Sequence, residues 1–275
     1  MFPGQGSQYV GMGKEFYDNR PECKAVYDLA SEVTGLDVAA LCFEENDKLN
    51  ITEYTQICML TTEAAIYAAL KEEGITCEVT AGLSLGEYGA LIASGAMSMK
   101  DAFAVVRKRG IYMQEAYPTG GAMSAILGLD AEVIAQTCEK TQNELRSAGN
   151  AAAVVSVANY NCPGQIVITG TEDAVSVAGD ALKDVTIGAI TTPYLANVNA
   201  DYVTDPAAVK DLLVRQVSSS VHWQQTIERL IADGADEFVE IGPGRSLSGF
   251  MRKINRDVTT CNIDKMEDFV NYVNR

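Results

Sequence analysis

Apolar positions along this chain change period several times, and each change marks an element. Tyr88, Leu91, Ile92 and Ala96 recur at three- to four-residue steps, which predicts a helix over 86–97. The same test predicts helices over 9–18, 22–33, 61–73 and 99–116, with Ser98 as the N-cap of the last. Glu78-Val79-Thr80-Ala81 is short and partly β-branched, as a buried strand end would be. Strands alternating with helices argue for an α/β chain with a largely parallel sheet covered on both faces.

From Gly120 the pattern changes. Ala122 to Leu127 reads as a strand, Asp130 to Lys140 as a helix and Val154 to Ala158 as a second strand. The turn Asn161-Cys162-Pro163-Gly164 leads into a third strand over 165–170, and Thr171-Glu172-Asp173 caps a helix running to about Leu182. The order β-α-β-β-α is one strand short of the split βαβ unit, so a small inserted domain without its closing strand is expected. Residues 185–198 read as a return to the large sheet. Helices near 206–217 and 221–234, a strand at Glu237 to Ile241, the turn Gly242-Pro243-Gly244 and a helix through Ile254 complete the prediction.

With 275 residues, 47% of them hydrophobic, the chain can hold one large α/β domain or a large one carrying an insert. No apolar run approaches membrane-span length, and no basic region followed by an apolar stretch opens the chain, so a membrane or secreted location is not expected. Seven scattered cysteines without a CxxC pair argue against zinc or a disulfide framework and for a reduced, cytoplasmic protein. A net charge of −16 speaks against nucleic acid and anionic membranes as partners. Two basic islands, Arg107-Lys108-Arg109 and Arg245, Arg252, Lys253 and Arg256, could seat an acidic or phosphorylated partner, although for most of them a solvated helix face is the better reading. The glycine-rich loops lack the lysine and spacing of nucleotide-binding motifs.

The chemistry concentrates at Gly82-Leu83-Ser84-Leu85-Gly86, between the strand at 78–81 and the helix at 86–97. In a nucleophile elbow the serine occupies a strained strand-to-helix turn, and glycines two residues either side allow close approach. Its hydroxyl then stands at a helix N-terminus, where free N–H groups can stabilise an oxyanion. A plain tight turn is the alternative. The opening Pro3-Gly4-Gln5-Gly6-Ser7-Gln8 is a loop rich in donors; a strand would normally feed it, but only two residues precede it.

Four segments together resemble the malonyl-CoA:acyl-carrier-protein transacylase family: PGQGSQ at 3–8, GLSLGEY at 82–88, RKRGIYMQEA at 107–116 and VEIGPGRSLSG at 239–249. NCPGQIVITG at 161–170 and VRQVSSSVHW at 214–223 support the match. The resemblance implies an α/β-hydrolase-like large domain, residues 1–118 and 186–275, with an inserted ferredoxin-like domain at 119–185. It implies a ping-pong transfer of malonyl from coenzyme A to the phosphopantetheine thiol of acyl carrier protein in fatty-acid synthesis, by a monomer without cofactor or metal, coenzyme A entering as a thioester substrate. In that scheme Ser84 is the nucleophile, the backbone N–H groups of Gln5 and Leu85 form the oxyanion hole, and Arg109 grips the malonyl carboxylate with two charge-assisted bonds. Gln216 contributes its main-chain carbonyl, which orients the catalytic histidine, and its side chain carries no implied role.

Two departures stand out. Leu83 replaces the histidine common before the nucleophile, which is expected to alter the acyl pocket lining and leave the chemistry intact. The general-base histidine itself is not present: the one histidine, His222, aligns with a variable polar residue beside a core tryptophan. The absent strand and the absent histidine both map between about Leu182 and Val185, where the chain reads as lacking a segment. Without a base Ser84 is a poor nucleophile. A free-standing polyketide-synthase acyltransferase shares nearly all these motifs. A serine esterase or thioesterase would need only the elbow, but a hydrolase has no general need for a carboxylate clamp such as Arg109.

Overall fold

The computed structural model describes residues 1–116, 124–149, 154–169 and 186–275. The chain opens with helices α1 (Lys14–Asn19), α2 (Pro21–Thr34) and α3 (Val38–Phe43), followed by the long α4 (Thr52–Glu72). Of these four only α2 follows its predicted bounds closely: residues 10–13 are turns and α3 has no sequence counterpart. Helix α4 begins nine residues before the predicted start because it is enclosed on every side, with an unbroken buried run from Thr55 to Ile66, so no amphipathic period marks it. Its buried hydroxyls bond back to the preceding turn, Thr61 to the Ile57 carbonyl at 2.7 Å and Thr62 to that of Cys58 at 3.0 Å. Helices α5 (Gly86–Ala93) and α6 (Met99–Ala116) follow, and α6 crosses α4 closely at Gly110, where a Cβ would lie 3.0 Å from the Glu53 Cα.

The large sheet is mostly parallel, as predicted. Residues 1–2 pair in parallel with the strand entering the elbow: Phe2 donates to the Ala81 carbonyl at 3.0 Å, and Leu83 donates to that of Phe2 at 3.0 Å. Thr80 bridges in parallel to β4 (Tyr194–Ala196), which turns antiparallel into β5 (Asp201–Val203). On the other side Ile241 donates to the Met1 carbonyl at 2.8 Å, joining β6 (Glu237–Ile241), itself parallel to β7 (Thr259–Ile263). Helices α8 (Val209–Gln216), α9 (Trp223–Ala232), α10 (Ser246–Ile254) and α11 (Met266–Val273) flank these strands; β7 and α11 lie beyond the last predicted element.

A second, antiparallel sheet has the order β1-β3-β2, from β1 (Ser124–Leu127), β2 (Ser156–Cys162) and β3 (Gln165–Thr169). The predicted Pro163-Gly164 turn joins β2 to β3, with Gly164 at φ 70°. Helix α7 (Ala131–Ser147) covers one face through Ile134 and Cys138, which pack on Val157 and Ile166 in a core of their own. Strand β2 ties this unit to the turn before α9, Tyr160 donating to the Val221 carbonyl at 2.8 Å. The predicted helix over 171–182 and the suspected gap near 182–185 lie outside the described residues.

One buried charge-bearing group belongs to no site. Glu63, on α4, is fully buried, and neither carboxylate oxygen has a hydrogen-bond partner among the described residues. Burial pushes its carboxyl well above the usual range; the Met1 ammonium opposes this and Glu240 adds to it. A carboxyl that keeps its proton in the fold stabilises at acid pH, and that stability is lost as pH rises and the unfolded chain ionises. Glu63→Gln is therefore expected to raise the melting temperature at about pH 8, by about 2–4 °C for each kcal/mol recovered, and to leave it unchanged at about pH 4. An equal shift at both pH values in a thermal melt would show that ionisation is not the cause.

Candidate active site

Ser84 sits between the strand end at Gly82 and the first turn of α5 with φ 52°, a left-handed conformation rare for a side-chain-bearing residue. Such backbone costs about 1–3 kcal/mol and persists where surroundings over-determine it. Here a side-chain amide does so: Asn197 Oδ1 accepts from the Ser84 N–H at 2.6 Å, while its Nδ2 donates to the Gly82 carbonyl at 2.7 Å. The flanking glycines are sterically required, since a Cβ at Gly82 would lie 1.9 Å from the Gly86 oxygen and one at Gly86 2.1 Å from the Phe2 oxygen. Every residue of α5 is buried, Glu87 included.

Because Asn197 occupies the Ser84 N–H, that amide is not available to an oxyanion. The next one is: the Leu85 N–H donates to no group among the described residues, and neither does that of Gln5. The Gln5 loop lies against the elbow, a Cβ at Gly4 falling 2.8 Å from the Leu83 oxygen, and the Gln5 side chain turns to Thr52 Oγ1 at 3.2 Å. Leu83 itself belongs to an apolar cluster with Leu195, Val221, Trp223 and Leu247.

Arg109 reaches this point from the middle of α6. It is 6% exposed, which overturns the alternative of a solvated basic face. Its Nη2 donates to Ser84 Oγ at 3.3 Å and to Gln216 Oε1 at 3.3 Å, its Nη1 donates to Gln56 Oε1 at 2.7 Å, and its Nε is buried without an acceptor. The guanidinium lies 5.8 Å from the centre of the Tyr88 ring. Burial lowers its proton affinity, and the nearby Tyr88 and Glu87 counteract that. A fork with a spare buried donor beside a serine hydroxyl suits an anionic group held next to the reacting atom.

The side chain of Gln216 corrects the sequence reading, which gave it no role. Its Nε2 donates to the Ser84 carbonyl at 2.9 Å and to Glu87 Oε2 at 2.6 Å, so one amide links elbow, acid and arginine. Its main-chain carbonyl accepts no hydrogen bond among the described residues. Glu87 Oε2 also accepts from the Asn197 N–H at 3.3 Å, whereas Oε1 has no partner. Burial raises the Glu87 carboxyl to about 7, against the pull of Gln216, Asn197 and Arg109. Asn197, Glu87 and Gln56 were missed from sequence. The visible signal was Glu87, an acid within the otherwise apolar stretch from Gly86 to Ala93.

His222 does not join the cluster. Its ring stacks on Tyr160, centroids 5.3 Å apart, its N–H donates to the Asn197 carbonyl at 2.9 Å, and no hydrogen bond links it to Ser84. Burial lowers its proton affinity. Among the described residues Arg109 is the only hydrogen-bond partner of Ser84 Oγ, and it can only donate. Among the described residues no group of acids, histidines and cysteines could hold a metal ion, and no helix is long and apolar enough to cross a membrane.

Comparison with known proteins adds four matches. Residues 1–180 match the acyl transferase domain family. The malonyl CoA-acyl carrier protein transacylase of Bacillus subtilis (strain 168) is 41% identical over 302 residues, covering 97% of this chain and 93% of its own. That alignment is longer than the 275 residues here, so the relative carries internal residues without counterpart in this chain. Among solved structures, the malonyl CoA-acyl carrier protein transacylase from Clostridium perfringens Atcc 13124 gives a TM-score of 0.89 at 37% identity, over 99% of this chain and 95% of that one. A malonyl-transacylase in complex with its type II PKS acyl-carrier protein gives 0.89 at 32% identity, over 99% and 97%.

Proposed function

Because the chain belongs to the malonyl CoA-acyl carrier protein transacylase family, we propose that it moves malonyl by a ping-pong route through an ester on Ser84. It is an acyltransferase, and its substrates are malonyl-CoA and acyl carrier protein. In the first half, Ser84 Oγ attacks the thioester carbonyl, the C–S bond breaks, and the serine proton leaves with the coenzyme A thiol. In the second half, the carrier's phosphopantetheine thiol attacks the ester, and Ser84 regains a proton. The Leu85 and Gln5 N–H groups receive the charge that develops on the carbonyl oxygen in both halves. Arg109 holds the distal malonyl carboxylate. The proton acceptor has no residue assigned to it.

The observation that carries this reading is the buried Arg109 guanidinium 3.3 Å from Ser84 Oγ, a carboxylate clamp at the reacting atom that an esterase would not need. We read the pathway as fatty-acid synthesis. The structure with a type II PKS carrier favours a polyketide acyltransferase as the second reading. We read the protein as a cytoplasmic monomer whose residues 1–118 and 186–275 form an α/β-hydrolase-like domain, with 119–185 as a ferredoxin-like insert, and whose chemistry needs no cofactor beyond the substrate thioester. Mixing the protein with malonyl-CoA and measuring intact mass tests the route. The expected product is a protein heavier by one malonyl group, which holo-carrier then discharges. Free malonate released without a carrier, and no adduct, would mean a hydrolase.

A further inference from the structure

The side chains behind Arg109 form a relay with no assigned purpose. The guanidinium donates to Gln216 Oε1, and the same amide donates through Nε2 to Glu87 Oε2 at 2.6 Å. Arg109 and Glu87 are both buried, and the described hydrogen bonds give Arg109 no carboxylate of its own. In the empty site the amide therefore couples one buried cation to one buried acid, and a buried cation needs such compensation. A malonyl carboxylate arriving at Arg109 places a second anion against the same cation. Two carboxylates sharing one site do not both stay ionised readily.

We propose that Glu87 is the counter-charge of the empty clamp and takes up a proton when a malonyl carboxylate replaces it at Arg109. The inference rests on Arg109 being the malonyl clamp. The geometry suits the exchange. Glu87 Oε1 has no partner and can hold a proton without breaking a bond, while Oε2 keeps its contacts to Gln216 and Asn197. Among the described residues the other ionisable groups that sense Glu87 are Tyr88 on its own helix and Tyr194 on β4, both held neutral by burial, so no second acid intervenes there. With its carboxyl poised at about 7, Glu87 exchanges its proton near neutrality. The acid then acts as a positioning and selectivity residue: it makes affinity for a dicarboxylate-derived acyl group depend on pH, and affinity for acetyl groups not.

Calorimetric titration of the whole protein with malonyl-CoA, in two buffers of different ionisation enthalpy, reads the proton directly, with acetyl-CoA as reference. The wild type is expected to take up close to one proton above neutrality on binding malonyl-CoA and none on binding acetyl-CoA. Its malonyl-CoA affinity is expected to fall about tenfold per pH unit above pH ~7, the slope for one linked proton. Glu87→Gln keeps the shape and both Oε2 contacts; it is expected to take up no proton and to bind malonyl-CoA independently of pH, more tightly than the wild type in alkaline solution. Preference for malonyl-CoA over acetyl-CoA without proton uptake would overturn the inference and leave the clamp standing. No preference at all would remove the clamp, and the inference with it.

Discussion

Replacing Ser84 with alanine is expected to abolish the malonyl-enzyme adduct and to lower transfer to the carrier by about 10,000-fold or more, the scale on which a covalent nucleophile's loss is felt. The fold should survive. The left-handed backbone at position 84 is imposed by Asn197 and by the two glycines, none of which touches the hydroxyl. A melting temperature close to wild type would therefore accompany the loss. An adduct of unchanged yield in the intact-mass experiment would place the nucleophile elsewhere and leave Ser84 as the apex of a tight turn.

Arg109→Ala is expected to separate acyl groups by charge. Truncating one partner of a buried charge pair typically costs about 2–5 kcal/mol, and about 1.4 kcal/mol is tenfold. The specificity constant for malonyl-CoA should accordingly fall by about 30-fold to several thousand-fold. Acetyl-CoA presents nothing to the guanidinium and should lose far less, so that relative selectivity inverts. Arg109→Lys, which keeps the charge but not the planar fork, should fall between the two. Equal losses for both donors would show that the arginine supports the site without gripping substrate. That outcome is a real alternative, because Gln56 and Gln216 both spend acceptors on Arg109 and would be left unpaired.

Legibility followed physical scale. Ser84, its glycines and the helix behind it were readable because a strained turn demands particular residues at fixed spacing. Arg109 was readable only through resemblance, since the run Arg107-Lys108-Arg109 looks like any solvated basic face; burial of one of the three is a tertiary fact. Helix α4 was half missed because a helix enclosed on all sides has no polar face to set a period. Strand β7 was missed because Thr259-Thr260-Cys261-Asn262 lacks an apolar alternation, its pairing being set by β6. Asn197 and Gln216 were out of reach for a different reason. A side-chain amide that bonds to groups over a hundred residues away leaves no local mark. The main-chain role implied for Gln216 directed attention away from the side chain that does the linking.

The Gln5 and Leu85 N–H groups, without an acceptor among the described residues, are brought to one elbow by the pairing of Phe2 with Ala81 and Leu83. The helices between them are built from local contacts, whereas this pairing closes a long loop and is entropically late. A local opening of the sheet at Phe2 would part the Gln5 and Leu85 amides while leaving the elbow backbone, held by Asn197, in place.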